Sequence, residues 1–161
     1  MDQANRLADA GRFADAIAIV EKERSILPRV LELQVLLGFL HARQNERAKA
    51  RRILSDALAT FPGHALSLAA LAQLMYLDGD YALAAETYAQ ALTAQPNDVS
   101  TRRNFAACLL ELGDRSKGEA LLRAVAASAP SQAGQAIKVL ASTSHGRFFL
   151  RPSAAAQFLR G

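Results

Sequence analysis

Residues 66–96 read LSLAALAQLMYLDGDYALAAETYAQALTAQP, and they decide the fold. Leu68, Leu71, Ala72 and Met75 fall at i, i+3, i+4 and i+7, the spacing of one buried helical face. The run stops at Asp78-Gly79-Asp80-Tyr81, where glycine accepts the left-handed backbone that ends a helix. A second stripe follows in Ala84, Tyr88, Ala91 and Leu92. Pro96 ends it, because a proline ring removes a donor and clashes with the preceding turn. The stretch predicts helix, tight turn, helix, stop.

The same punctuation recurs along the chain. Pro28, Pro62, Pro96 and Pro130 stand 34 residues apart, and Gly11, Asn45, Gly79 and Gly113 each precede one of them by 17. A fixed period of this length means one supersecondary unit is repeated. The first unit is short: Leu7, then a turn at Gly11-Arg12-Phe13, then a helix over about 13–26 with Phe13, Ala16, Ile17 and Val20 inward. The second packs Leu33, Leu36, Leu37 and Leu40 against Ala50, Ile53, Leu54, Ala57 and Leu58, with Gly38 where two helices touch. The fourth packs Phe105, Ala106 and Leu109 against Gly118, Leu121, Leu122 and Val125. The units run over about 1–30, 31–64, 65–98 and 99–132. A helix over about 132–144 then caps the end, because a last repeat has no neighbour to cover its apolar face. This repeat domain, 1–144, is followed by a tail, 145–161, with a short helix capped by Ser153 and ending near Leu159.

Composition agrees with an all-helical chain. Of 161 residues about a fifth are alanine, the strongest helix former, and none is tryptophan. The net charge of +4 is too small to imply nucleic acid by itself. A single cysteine forbids an internal disulfide, which suits a reducing compartment. The first residues carry no signal-peptide pattern, and no apolar run reaches the ~20 residues of a membrane span. A cytoplasmic protein is expected, and the alanine, leucine and arginine bias suits a bacterium with a GC-rich genome.

These residues resemble the tetratricopeptide repeat family. The third unit carries nearly the whole pattern: Leu71-Ala72, Met75, Gly79-Asp80-Tyr81, Ala84, Tyr88, Ala91-Leu92 and Pro96. The others match through Gly11, Phe13, Ala16 and Pro28, through Leu37-Gly38, Ala50, Ala57-Leu58 and Pro62, and through Phe105-Ala106, Gly113-Asp114, Gly118 and Pro130. Arg47 and Arg115 depart from it where an aromatic is usual, Gln34 and Arg102 where a tryptophan is common, and Glu23 where a small residue is usual. The resemblance implies a right-handed α-solenoid of helix-turn-helix repeats, used as a protein-binding scaffold. Members that grip a C-terminal carboxylate do so with paired lysines and asparagines. The corresponding places here hold Met1, Asn5, Leu36, Leu66 and Ala70, so that clamp is not expected.

No constellation of residues reads as catalytic, and no cofactor or metal is expected. His41, His64 and His145 lie in different units without carboxylate or cysteine at ligand spacing. Cys108 sits in a stripe of small residues and reads as a buried thiol. In a stacked solenoid the first helices line a groove. Helical phase leaves Val35, Phe39, Arg43, Leu66, Ala69, Gln73, Tyr76, Arg103 and Asn104 facing it, with Lys138 on the cap. Exposed aromatics and arginines are the residue types of binding hot spots. The expected partner is a protein offering an apolar peptide or helix with an acidic residue at one end. Arg43, Arg47, Lys49, Arg51 and Arg52 form a basic cluster without interleaved aromatics, which points away from nucleic acid. In the tail, Phe148, Phe149, Leu150, Phe158 and Leu159 are too apolar for a free end. Three readings of it stand: an end cap, a segment docking in its own or a twin's groove and so able to regulate or dimerise the protein, or a membrane-surface or partner-binding segment. Two other functions fit the fold: a chaperone for a secreted or assembled subunit, and the repeat region of an enzyme.

Overall fold

Four turns of one kind set the architecture. Gly11, Gly79 and Gly113 have φ of 74°, 87° and 82°, and Asn45 has 63°. At each, two backbone bonds close the preceding helix. Asp80 N–H reaches back to Met75 O (2.9 Å) and Gly79 N–H to Tyr76 O (3.1 Å). The pairs Arg12 to Leu7, Glu46 to His41 and Asp114 to Leu109 repeat the longer bond. This is the Schellman closure, which satisfies carbonyls that a helix end would leave orphaned.

The computed structural model describes all residues except Met1, Pro28, Arg29 and Leu150. The expected stop at Pro28, the tail residue Leu150 and the clamp position Met1 lie outside the described residues. Among the described residues the helices are α1 (Asp2–Asp9), α2 (Phe13–Ile26), α3 (Leu31–Arg43), α4 (Arg47–Thr60), α5 (Ala65–Leu77), α6 (Tyr81–Ala94), α7 (Val99–Glu111), α8 (Arg115–Ser128), α9 (Ala133–Ser142) and α10 (Pro152–Arg160). A 3-10 turn, Pro130–Gln132, leads into α9. No described helix is long and apolar enough to cross a membrane. The chain divides into two units, Met1–Leu74 and Met75–Gly161, with the division inside α5.

In the first unit Ala4, Ala16, Ile17, Val20, Leu33, Leu37, Leu40 and Ile53 form one buried cluster. Ala50 and Leu54 pack with Ala70 and Leu74 in another. A Cβ on Gly38 would lie 2.7 Å from Leu54 Cγ, so only glycine lets α3 and α4 meet there.

In the second unit Ala106, Leu110, Leu122, Val125, Ala136, Leu140 and Leu159 form the core of α7 to α10. Tyr88 of α6 is wholly buried, and its hydroxyl pairs with Asn104 of α7. Asp98 caps α7 by accepting from the N–H groups of Ser100 and Thr101. The expected fourth stripe is rotated by one residue: Leu110 rather than Leu109 is buried. Phe105 and Leu109 instead line an open cavity of about 510 Å³ with Lys117, Ala120 and Leu121. Ser153 does not cap the last helix. Pro152 takes its first position, where the missing N–H costs nothing.

Candidate functional site

The first unit carries a pocket of about 500 Å³ walled by three helices. On α3 the wall is Leu36, Phe39, Leu40 and Arg43, at i, i+3, i+4 and i+7. On α1 it is Asn5, Ala8 and Asp9, at i, i+3 and i+4. Phe13, the first residue of α2, closes the floor. The spacing that builds a core stripe here builds two facing walls. The Arg43 guanidinium stands 5.2 Å from the centre of the Phe13 ring, within cation–π range. Phe39 is 53% exposed. The pocket thus offers apolar surface, one held cation, and polar groups from Asn5 and Asp9 along one edge.

Of the residues expected at a binding groove, Phe39 and Arg43 are brought together here. Val35 must be corrected: it is 9% exposed and belongs to the core. Helix α3 packs against α2 and α4, so two of its sides are covered, while Phe39 and Arg43 stay exposed. Leu66 is exposed on α5, with Ala69 and Gln73 partly covered, and none of the three lines the pocket. Asn5, Ala8, Asp9, Phe13 and Leu36 were not among the expected site residues. For Asn5, Ala8 and Asp9 the stripe on α1 is the signal in the sequence.

In the second unit Tyr76 donates its hydroxyl to Glu111 Oε1 at 3.5 Å, and its ring leans on Tyr81 with centres 5.3 Å apart. Burial, then the Glu111 charge, push its phenol up to about 12. Arg103 donates to Gln132 Oε1 (3.0 Å), and Asn104 pairs with Tyr88. Both are engaged in holding the fold. Lys138 is exposed on α9.

The basic cluster is dispersed. Arg43 stacks on Phe13, Arg47 donates to Asn45 (3.1 Å), and Lys49 stands 3.9 Å from Glu46. His41 is buried, with Nδ1 at 2.5 Å from Glu46 Oε2.

The tail folds onto α8 and α9. Leu159 is buried in their core, and Phe149 and Phe158 pack against it, while Phe148 is 77% exposed. Glu119 of α8 is buried between two guanidiniums, Arg115 Nε and Arg147 Nε, each at 2.8 Å. Burial pushes its carboxyl up, but the two arginines outweigh that and hold it below the ordinary glutamate range. Arg147 and Arg123 each lie 4.8 Å from the centre of the Phe158 ring.

Cys108 is buried, and loss of hydration lifts its thiol to about 12. The thiolate is the reactive species, so this buried thiol reacts far more slowly than a free cysteine. Iodoacetamide is expected to leave the native protein unlabelled for hours and to label it fully in denaturant, as read by intact mass. Rapid native labelling would refute the burial.

A family profile for the tetratricopeptide repeat matches residues 7–74 and again 75–142. The chain belongs to the tetratricopeptide repeat family. Solved structures agree on the fold of this repeat protein, an all-α repeat solenoid. A thermophilic tetratricopeptide repeat protein of Thermus thermophilus superposes with a TM-score of 0.77 at 17% identity, over 89% of this chain and 81% of that one. MamA of Desulfovibrio magneticus RS-1 gives 0.71 at 14% identity, over 98% and 87%. A variant of the O-GlcNAc transferase of Thermobaculum terrenum gives 0.72 at 20% identity, over 78% of this chain but 24% of that one. The repeat protein thus spans about a quarter of the transferase. No curated protein matches it in sequence. Tetratricopeptide repeats form a protein-interaction scaffold, and this one carries a pocket at Phe39 and Arg43.

Proposed function

We propose that the chain is a non-enzymatic adaptor that binds an apolar peptide or helix of a partner protein. The pocket of α1, α2 and α3 is the anchor point. The observation that carries this reading is the joining of an exposed Phe39, Phe13 and the stacked Arg43 in one cavity of about 500 Å³. An apolar side chain of the partner enters between the phenylalanines, and an acidic neighbour meets Arg43. Leu66, Ala69, Gln73, Tyr76 and Lys138 are further candidate contacts. Arg103 and Asn104 rank behind them, since their hydrogen bonds would have to break.

The test is affinity capture from the native lysate, followed by titration of the captured partner. Phe39→Ala with Arg43→Ala should weaken binding at least tenfold, about the ~1–2 kcal/mol of a hot-spot pair, while helicity stays unchanged. Tyr76→Ala, made separately, reports on the second unit. Equal binding by the Phe39/Arg43 variant would sink the pocket assignment. A second reading, a repeat region serving an enzyme, is favoured by the transferase likeness. A partner that is itself an enzyme, with turnover altered by this chain, would distinguish it.

A further inference from the structure

Asp9 and Arg43 hold the same place in successive repeats, 34 residues apart. Asp9 is the last residue of α1 and Arg43 the last of α3. Helix α2 packs against both helices and returns the chain between them, so α1 and α3 run the same way. Their last residues therefore meet at one rim of the pocket, and both line it. The two side chains carry opposite charges, yet Arg43 is turned onto the Phe13 ring, 5.2 Å from its centre.

We propose that Asp9, with Asn5 beside it, is a second recognition element of this pocket. The partner segment it takes is bipolar: an apolar anchor with a basic residue toward α1 and an acidic residue toward α3. This rests on the adaptor reading and adds the basic residue to it, which makes Asp9 the side chain that determines specificity.

Three observations carry the inference. The first is that the cations near Asp9 in the chain are engaged elsewhere. Arg6 Nε donates to Asp2 O at 3.3 Å, and Arg12 pairs with Asp15 Oδ2 at 2.7 Å. Among the described residues no hydrogen bond or ion pair holds the Asp9 carboxylate. It is exposed at the pocket rim, as Arg43 is.

The second is the field at the end of α1. The carbonyls of a helix point out of its last turn and make that end negative, so a carboxylate there adds to the charge instead of offsetting it. Arg6, the basic residue of the last turn, reaches back toward Asp2 and does not cover this end. A cation brought by a partner meets the carboxylate and the helix end together.

The third is the layout. Leu36, Phe39 and Phe13 give the pocket its apolar surface, with a carboxylate on the α1 wall and a guanidinium on the α3 wall. A wholly acidic segment meets Arg43 but is repelled by Asp9. A wholly basic one meets Asp9 but is repelled by Arg43. A segment with one charge of each sign satisfies both walls, and the two repulsions exclude the others.

The probe is a random peptide library displayed on phage and selected against the full chain. Enriched peptides are synthesised and titrated by fluorescence anisotropy. They are expected to carry an apolar residue with a Lys or Arg and an Asp or Glu within about three residues of it, the reach of one helical turn. Replacing the basic residue of such a peptide with alanine should weaken its binding to the parent protein about fivefold or more. The same replacement should change nothing against Asp9→Asn, which keeps the side-chain shape and removes the charge. Selection against Asp9→Lys should replace the basic residue of the peptides with an acidic one. Peptides that need Phe39 and Arg43 but bind Asp9→Asn as tightly as the parent overturn this inference and leave the adaptor reading standing. A library that yields no peptide sensitive to Phe39→Ala with Arg43→Ala overturns both, because the pocket is then not the site. Circular dichroism establishes that each variant is folded before it is scored.

Discussion

Replacing Tyr88 with alanine is expected to lower the stability of the protein by about 3–5 kcal/mol, the usual cost of truncating a wholly buried aromatic. Tyr88 is the largest fully buried side chain among the described residues, and its hydroxyl pairs with Asn104. Truncation opens a cavity between α6 and α7 and orphans the Asn104 amide. For a chain of this length each kcal/mol lowers Tm by roughly 2–4 °C, so a fall of about 10 °C or more is expected. Tyr88→Phe separates the two causes. It keeps the ring and loses one hydrogen bond, at about 1 kcal/mol. Urea denaturation of both variants measures the difference. A Tyr88→Ala protein within about 1 kcal/mol of the parent would mean that α6 and α7 are not joined through this ring.

Gly146→Ala is expected to release the tail. A Cβ there would collide with Leu140 O and stand 2.5 Å from Thr143 Oγ1. The nearest atom is backbone and cannot rotate away. Room can be made only by pulling 146–147 off α9, which breaks the bond from Arg147 N–H to Leu140 O. Arg147 then leaves Glu119 and the Phe158 ring together. The strain alone amounts to about 2–3 kcal/mol, the upper part of the range for an overpacked site. The loss should be local. Amide exchange in α10 should approach that of a free peptide, while α3 and α4 keep their protection. Unchanged exchange in α10 would show that the tail is held by its apolar contacts alone.

The repeats were legible because punctuation and stripes agree at every level. A positive φ was expected at Gly11, Asn45, Gly79 and Gly113, and each has it. The pocket was half legible. Phase on α3 finds Phe39 and Arg43, but phase assumes one covered side, and α3 has two, which is why Val35 is buried. The α1 wall was missed because eight residues show a stripe weakly, and nothing local says which helix will face it. The tail left three readings open. What seats it on α8 and α9 is a set of contacts distant in sequence, Glu119 with Arg147 and Arg123 with Phe158, and no local pattern announces such pairs.

The seat of Glu119 between Arg115 and Arg147 also bears on how such an array can lengthen. Duplicating a 34-residue block within 7–142 would place each new helix pair against seams of the kind already present, so growth from inside keeps the pattern. A block spliced in after Ser142 faces a different situation. Its first helices would compete with α10 for α8 and α9, and Glu119 would be left buried with one arginine instead of two. The buried glutamate therefore makes the position after α9 a poor place for insertion, and favours variation in repeat number upstream of it.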